Sequence, residues 1–111
     1  MKITLEHVDD LARGAAILGT GGGGDPYIGG LMLKQALEDH GPVELVDVET
    51  LGDDDFAVPF AMMGAPTVIV EKIPNGAEMV AALRTTEKYV GRSAAAVLCA
   101  EIGGLNALLP L

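Results

Sequence analysis

The sequence predicts an α/β fold, a layered mixed sheet with flanking helices. Segments with the 3.6-residue apolar period of amphipathic helices alternate with short apolar, β-branched runs, and glycine-containing loops punctuate the change from one to the next. Thr4 is placed to cap a first helix over about 5 to 18, with Val8, Leu11, Ala12, Ala15 and Leu18 on one face. After a glycine-rich loop, a second helix is expected over about 27 to 39. Ile28, Leu31, Met32, Ala36 and Leu37 form its buried face, and Gly41-Pro42 ends it. Val43 to Val48 reads as a strand, and Phe56 to Met63 as a second one placed at an edge or broken by Pro59. Thr67 to Lys72 is open between helix and strand. Pro74-Asn75-Gly76 is a turn. A third helix over about 77 to 90 turns Val80, Leu83 and Val90 inward, and Ala95 to Ala100 reads as a buried strand holding Cys99 in the core. A further helix begins near Leu105. A terminus one turn into an apolar helix suggests the N-terminal fragment of a longer protein. In that case Leu105, Leu108, Leu109 and Leu111 lack partners, and the isolated chain is expected to self-associate or to be marginally stable.

Composition narrows the function. Hydrophobic residues make up 50% of the 111, with mean hydropathy +0.37, enough for one aliphatic core. A net charge of −9 without a basic cluster argues against nucleic acid. The acidic group Asp47, Glu49, Asp53, Asp54 and Asp55 reads as a solvated loop. A single cysteine gives no disulfide framework, and no signal or membrane-length apolar segment is present, so the chain is expected in the cytoplasm. Cys99, His7 and His40 lack zinc-ligand spacing, so no metal is expected.

The densest signal is Gly19-Thr20-Gly21-Gly22-Gly23-Gly24-Asp25-Pro26-Tyr27-Ile28-Gly29-Gly30, where seven of twelve residues are glycine. Such backbone reaches positive φ freely and can present N–H groups to a ligand. Asp25 suits a helix N-cap and Pro26 the first turn. A P-loop would need Lys and Ser/Thr after Gly24, but Asp25 and Pro26 follow. Gly19, Gly21 and Gly24 satisfy the dinucleotide fingerprint, with Asp47 near the expected acidic position, yet the preceding residues have helical period where that motif needs a strand. A dinucleotide-binding module therefore stands as an alternative.

Two more glycine-containing loops follow apolar segments, Met63-Gly64-Ala65-Pro66 and Glu101-Ile102-Gly103-Gly104. In α/β folds ligands bind where such loops meet at the carboxyl ends of strands. Glu101 at such an end is the candidate general base or, equally, a capping carboxylate. Asp25 is a second candidate acid beside its capping role. Asn106 can offer an amide to a ligand carbonyl or stand as an exposed first-turn residue. Glu71 and Lys72 form an adjacent pair near the middle loop, read either as ligand contacts or as surface charge.

Leu11-Ala12-Arg13-Gly14 leading into Leu18 to Tyr27 resembles the N-terminal domain of the S-methyl-thiohydantoin desulfurase-like proteins. That group was long described as a domain of unknown function and accompanies hydantoinase and oxoprolinase components. Met62-Met63-Gly64-Ala65-Pro66 with Glu71-Lys72, and Glu101-Ile102-Gly103-Gly104-Leu105-Asn106, are similar to its later signatures. The resemblance implies an α/β N-terminal domain followed by a mostly β C-terminal domain. It also implies hydrolytic removal of a sulfur substituent from a thiohydantoin ring, and no cofactor is expected. Within it, Glu101 and Asp25 are the expected catalytic residues. Thr20, Gly21, Gly22, Gly23, Gly24, Gly64, Glu71, Lys72, Gly103, Gly104 and Asn106 are the expected ligand contacts. A non-catalytic component of a hydantoinase-type system is the competing reading, and a homo-oligomer is left open.

Overall fold

A computed structural model describes residues 1–72 and 74–111. The fold is mixed α/β, its strands divided between two small sheets. β1 (Lys2–Ile3) pairs antiparallel with β2 (Val43–Glu44), and β3 (Ala57–Phe60) pairs parallel with β4 (Ala96–Cys99). The helices are α1 (Val8–Gly19), α2 (Pro26–His40), α3 (Pro66–Glu71) and α4 (Ala77–Val90).

A 3₁₀ turn at Leu5–His7 leads into α1, and the Thr4 N–H donates to His7 Nδ1 at 3.1 Å. Asp25 caps α2 by accepting from the Tyr27 N–H at 2.9 Å, with Pro26 in the first turn. At the other end Gly41 adopts φ +85° and donates to the Leu37 carbonyl at 3.0 Å. Both ends of α2 therefore follow from local chemistry.

The core lies between α1, α2 and the C-terminal turn: Ile3, Val8, Ala15, Leu33, Leu37 and Leu108, with Leu11, Ala12 and Val43 against them. Two glycines inside α2 would each cost the helix up to about 1 kcal/mol relative to alanine. Here they give the close approach. A Cβ at Gly29 would lie 3.0 Å from Leu108 Cδ1, and one at Gly30 would lie 3.4 Å from Ala12 Cβ. The inward stripe of α2 is thus Ile28, Gly29, Gly30, Leu33 and Leu37, and Leu31 stays half-exposed instead of buried as the apolar pattern predicts.

Other expectations are corrected. The expected strand from Val43 stops at Glu44 because β1 offers only two residues to pair with. The Leu45 N–H still reaches the Met1 carbonyl, and Val48–Thr50 then forms a 3₁₀ turn. Thr67 to Lys72, open in the sequence, is helical apart from its last residue. α4 has the expected bounds but buries no residue, and Val80 and Val90 are exposed. β4 is not a buried strand, and Cys99 is exposed. In the sheet, exposed Pro59 opposes half-exposed Leu98, whereas Val58 and Phe60 are buried. Leu18 is also exposed. The expected apolar C-terminal end is not loose: Leu105 is fully buried and Leu108 is 3% exposed, both seated beside α2.

Candidate functional site

The C-terminal turn fits against the glycine loop largely through backbone contacts. Gly104 donates to the Ala15 carbonyl at 2.9 Å, Leu105 to Gly24 at 3.2 Å, and Asn106 to Gly23 at 3.0 Å. A Cβ on Gly103 would coincide with the Gly19 backbone, and one on Gly104 with the backbone of Gly22 and Gly23. A Cβ on Gly23 would meet the Gly103 carbonyl. Gly23 and Gly104 also have positive φ, at +76° and +68°. Only glycine satisfies both demands at these positions.

The tetrad is therefore divided. Gly23 and Gly24 pack against the C-terminal turn, while Gly21 and Gly22 are exposed, and nothing lies within 4 Å of a Cβ added at Gly21. The Gly22 N–H closes a turn onto the Gly19 carbonyl at 2.7 Å. Those of Gly21, Gly23 and Gly24 donate to no protein acceptor among the described residues. Thr20, at the lip of the loop, is exposed and holds left-handed backbone at φ 47°, unusual for a β-branched residue.

Glu101 follows β4 by two residues and is exposed. Its Oε2 lies 3.1 Å from the Cβ position of Gly23, so the carboxylate sits over the glycine loop. Its Oε1 accepts from Asn106 Nδ2 at 3.2 Å. Asn106 itself is 4% exposed, the buried polar residue of the core among those described. Its Oδ1 accepts from the Met62 N–H at 2.8 Å, and its Nδ2 donates to the Met62 carbonyl at 3.1 Å. Both Nδ2 protons are engaged, by Met62 and by Glu101. The side chain is thus neither an exposed first-turn residue nor a free donor. That sequence alone does not expose this buried clamp is understandable: one Asn beside two glycines carries no periodicity.

Gly23 and Glu101, from two of the loops picked out in the sequence, meet here beside Met62, the residue that precedes the third loop, whose Met63 is 95% exposed. The remaining candidates stand further out. Asp25 is exposed and capping α2. Gly64 has φ +153° with open space where a Cβ would go. Glu71 and Lys72 are exposed at the end of α3, and no hydrogen bond or ion pair ties them to the other loops among the described residues. The dinucleotide fingerprint loses its context, because helix α1 precedes the glycines and Asp47 stands just before a 3₁₀ turn, at no strand end.

An apolar cavity of about 710 Å³ lies elsewhere, between α2, α4 and Phe60. Its size alone would make it the default ligand site. Its lining holds none of Glu101, Asn106 or the glycine tetrad, so the cavity and the polar cluster are separate features. Among the described residues, no His, Cys, Asp and Glu group is arranged to hold a metal, and no helix is long and apolar enough to cross a membrane.

Comparison with characterised proteins and with solved structures gives no match. The family described as "S-Me-THD-like, N-terminal domain" matches residues 6–111, a span that contains the glycine loop, Met62, Glu101 and Asn106. The chain belongs to the S-Me-THD-like N-terminal domain family.

Proposed function

We propose that this domain is the ligand-binding part of a hydrolase that acts on a small (thio)hydantoin-like ring, in a cytoplasmic protein with a second domain. The observation that carries the reading is the Glu101 carboxylate lying over a loop whose Gly21, Gly23 and Gly24 N–H groups lack protein acceptors. A carboxylate there opposes phosphate and other anions, as does the net charge of −9. It suits a neutral ring whose edge places an N–H donor beside a C=O or C=N acceptor. The donor faces Glu101 and the acceptor faces the glycine N–H groups.

In the proposed reaction, water attacks the ring carbon bearing the S-methyl group. Glu101 Oε2 takes the water proton while the loop N–H groups hold the charge that develops on the ring nitrogen. The carbon–sulfur bond then breaks, methanethiol leaves with a proton returned by Glu101, and the ring remains as a hydantoin. The test is Glu101→Gln in the full-length protein, followed by methanethiol release from an S-methyl-thiohydantoin. Loss of the base is expected to lower kcat about 10²–10⁴-fold with little change in KM. Wild-type kcat in this variant would remove Glu101 from the mechanism. Binding of the ring with no turnover in the wild type would favour a non-catalytic component of a hydantoinase-type system.

A further inference from the structure

We infer that Asn106 is a positioning residue that sets the orientation of the Glu101 carboxylate and ties it to the Met62 backbone and the glycine loop. One residue makes all three connections. Its N–H donates to the Gly23 carbonyl at 3.0 Å, its amide exchanges two hydrogen bonds with the Met62 backbone, and its second Nδ2 proton goes to Glu101 Oε1 at 3.2 Å. An asparagine amide has the same donor–acceptor edge as a peptide group, so it pairs with Met62 as a neighbouring strand would. Of the common polar side chains only an amide supplies this pattern with a proton left for a carboxylate. Aspartate at this position would lack both donors and would set a second negative charge against Glu101. Leucine would leave the Met62 N–H and carbonyl without partners.

The consequence concerns which oxygen works. With Oε1 held by Asn106, Glu101 keeps Oε2 against the glycine loop, beside Gly23. Without the clamp, an exposed glutamate on a loop samples several rotamers and the reactive geometry is populated less often. Asn106 touches no reacting atom in this arrangement and acts through Glu101. Its kinetic consequence rests on the hydrolase reading above, whereas the clamp itself does not.

The experiment compares Asn106→Asp, Glu101→Gln and the double variant in the full-length protein. Asparagine to aspartate keeps the shape and the acceptor for the Met62 N–H. Expected in Asn106→Asp is a fall in kcat of about 10- to 100-fold with KM changed far less, the scale of a misplaced reacting group. Added to Glu101→Gln, the substitution is expected to lower kcat no further, because the residue it positions is already disabled. A folded Asn106→Asp protein with wild-type kcat, or one whose loss multiplies in full onto that of Glu101→Gln, overturns the inference. A second measurement needs neither a variant nor turnover. Hydrogen exchange of the Asn106 Nδ2 protons, followed by NMR in the wild type, is expected to be much slower than that of the exposed Gln35 amide. Exchange as fast as Gln35 overturns the clamp. Absent turnover with slow exchange would reject the hydrolase reading while leaving the clamp standing.

Discussion

Gly103→Ala and Gly14→Ala make the same chemical change at two glycines and are expected to have opposite effects. At Gly14, inside α1, nothing lies within 4 Å of an added Cβ. Alanine there raises helix propensity and is expected to stabilise the protein by about 0.5–1 kcal/mol. At Gly103 the added methyl would overlap Gly19 Cα and N, with the Leu18 carbonyl carbon 2.9 Å away. These are backbone atoms, so no rotamer change relieves the clash. The C-terminal turn must move away from α1. That movement breaks the hydrogen bonds from Gly104, Leu105 and Asn106 to Ala15, Gly24 and Gly23, each contributing roughly 1 kcal/mol net. It also loosens Leu105 and Leu108, and full loss of one buried leucine side chain costs about 2–5 kcal/mol. A total of about 3–5 kcal/mol is expected, a large share of the 5–15 kcal/mol typical of a whole domain. Urea unfolding of both variants beside the wild type, at one pH and with m-values compared, measures the difference. A Gly103→Ala protein within about 1 kcal/mol of Gly14→Ala would refute the interlocked-backbone account.

Further outcomes follow from the same geometry. Gly22→Val is expected to stay folded, since Gly22 is exposed and a Cβ there meets only the Gly19 carbonyl oxygen, at 3.3 Å. Gly23→Val is expected to unfold or aggregate, because its Cβ would overlap the Gly103 carbonyl; equal melting temperatures for the two would contradict this. Glu87 makes the junction of α4 and β4 sensitive to acid. The Ala94 N–H, donated to it at 2.8 Å, and the Arg84 guanidinium hold its carboxyl below the usual range. A depressed carboxylate stabilises the fold above its unfolded value, about 4.3, and that contribution is lost as pH falls through the lower folded value. Glu87→Gln is expected to flatten the fall in stability below about pH 4.5, and an unchanged acid limb in the variant would exclude this role.

Where the sequence was legible, the information was local. Asp25-Pro26 and Gly41 mark the ends of α2 through backbone chemistry that needs no distant partner, and Gly76 and Gly91 flank α4 in the same way. The three glycine-containing loops are legible as loops, and two of them meet through Gly23 and Glu101, whereas the middle one reaches the cluster only through Met62, which precedes it. The division of labour inside the tetrad was not visible. Gly22 and Gly23 are the same letter, and only the distant Gly103 makes one of them indispensable to packing. Cys99, Val80 and Leu31 were misplaced for a related reason. Apolar character says that a residue can be buried, but which face receives a neighbour is decided by elements far along the chain. Asn106 has the same lesson in reverse, a polar letter buried because Met62 and Glu101 satisfy it.

The most direct measurement is an NMR titration of the full-length protein with a hydantoin, comparing wild type and Gly22→Val. The account predicts saturable shifts concentrated at Gly21, Gly22, Gly23 and Glu101, with affinity lost in the folded variant because a β-branched side chain crowds the exposed part of the loop. Shifts centred on Leu31, Leu83 and Phe60 around the apolar cavity, with affinity unchanged in Gly22→Val, would contradict it.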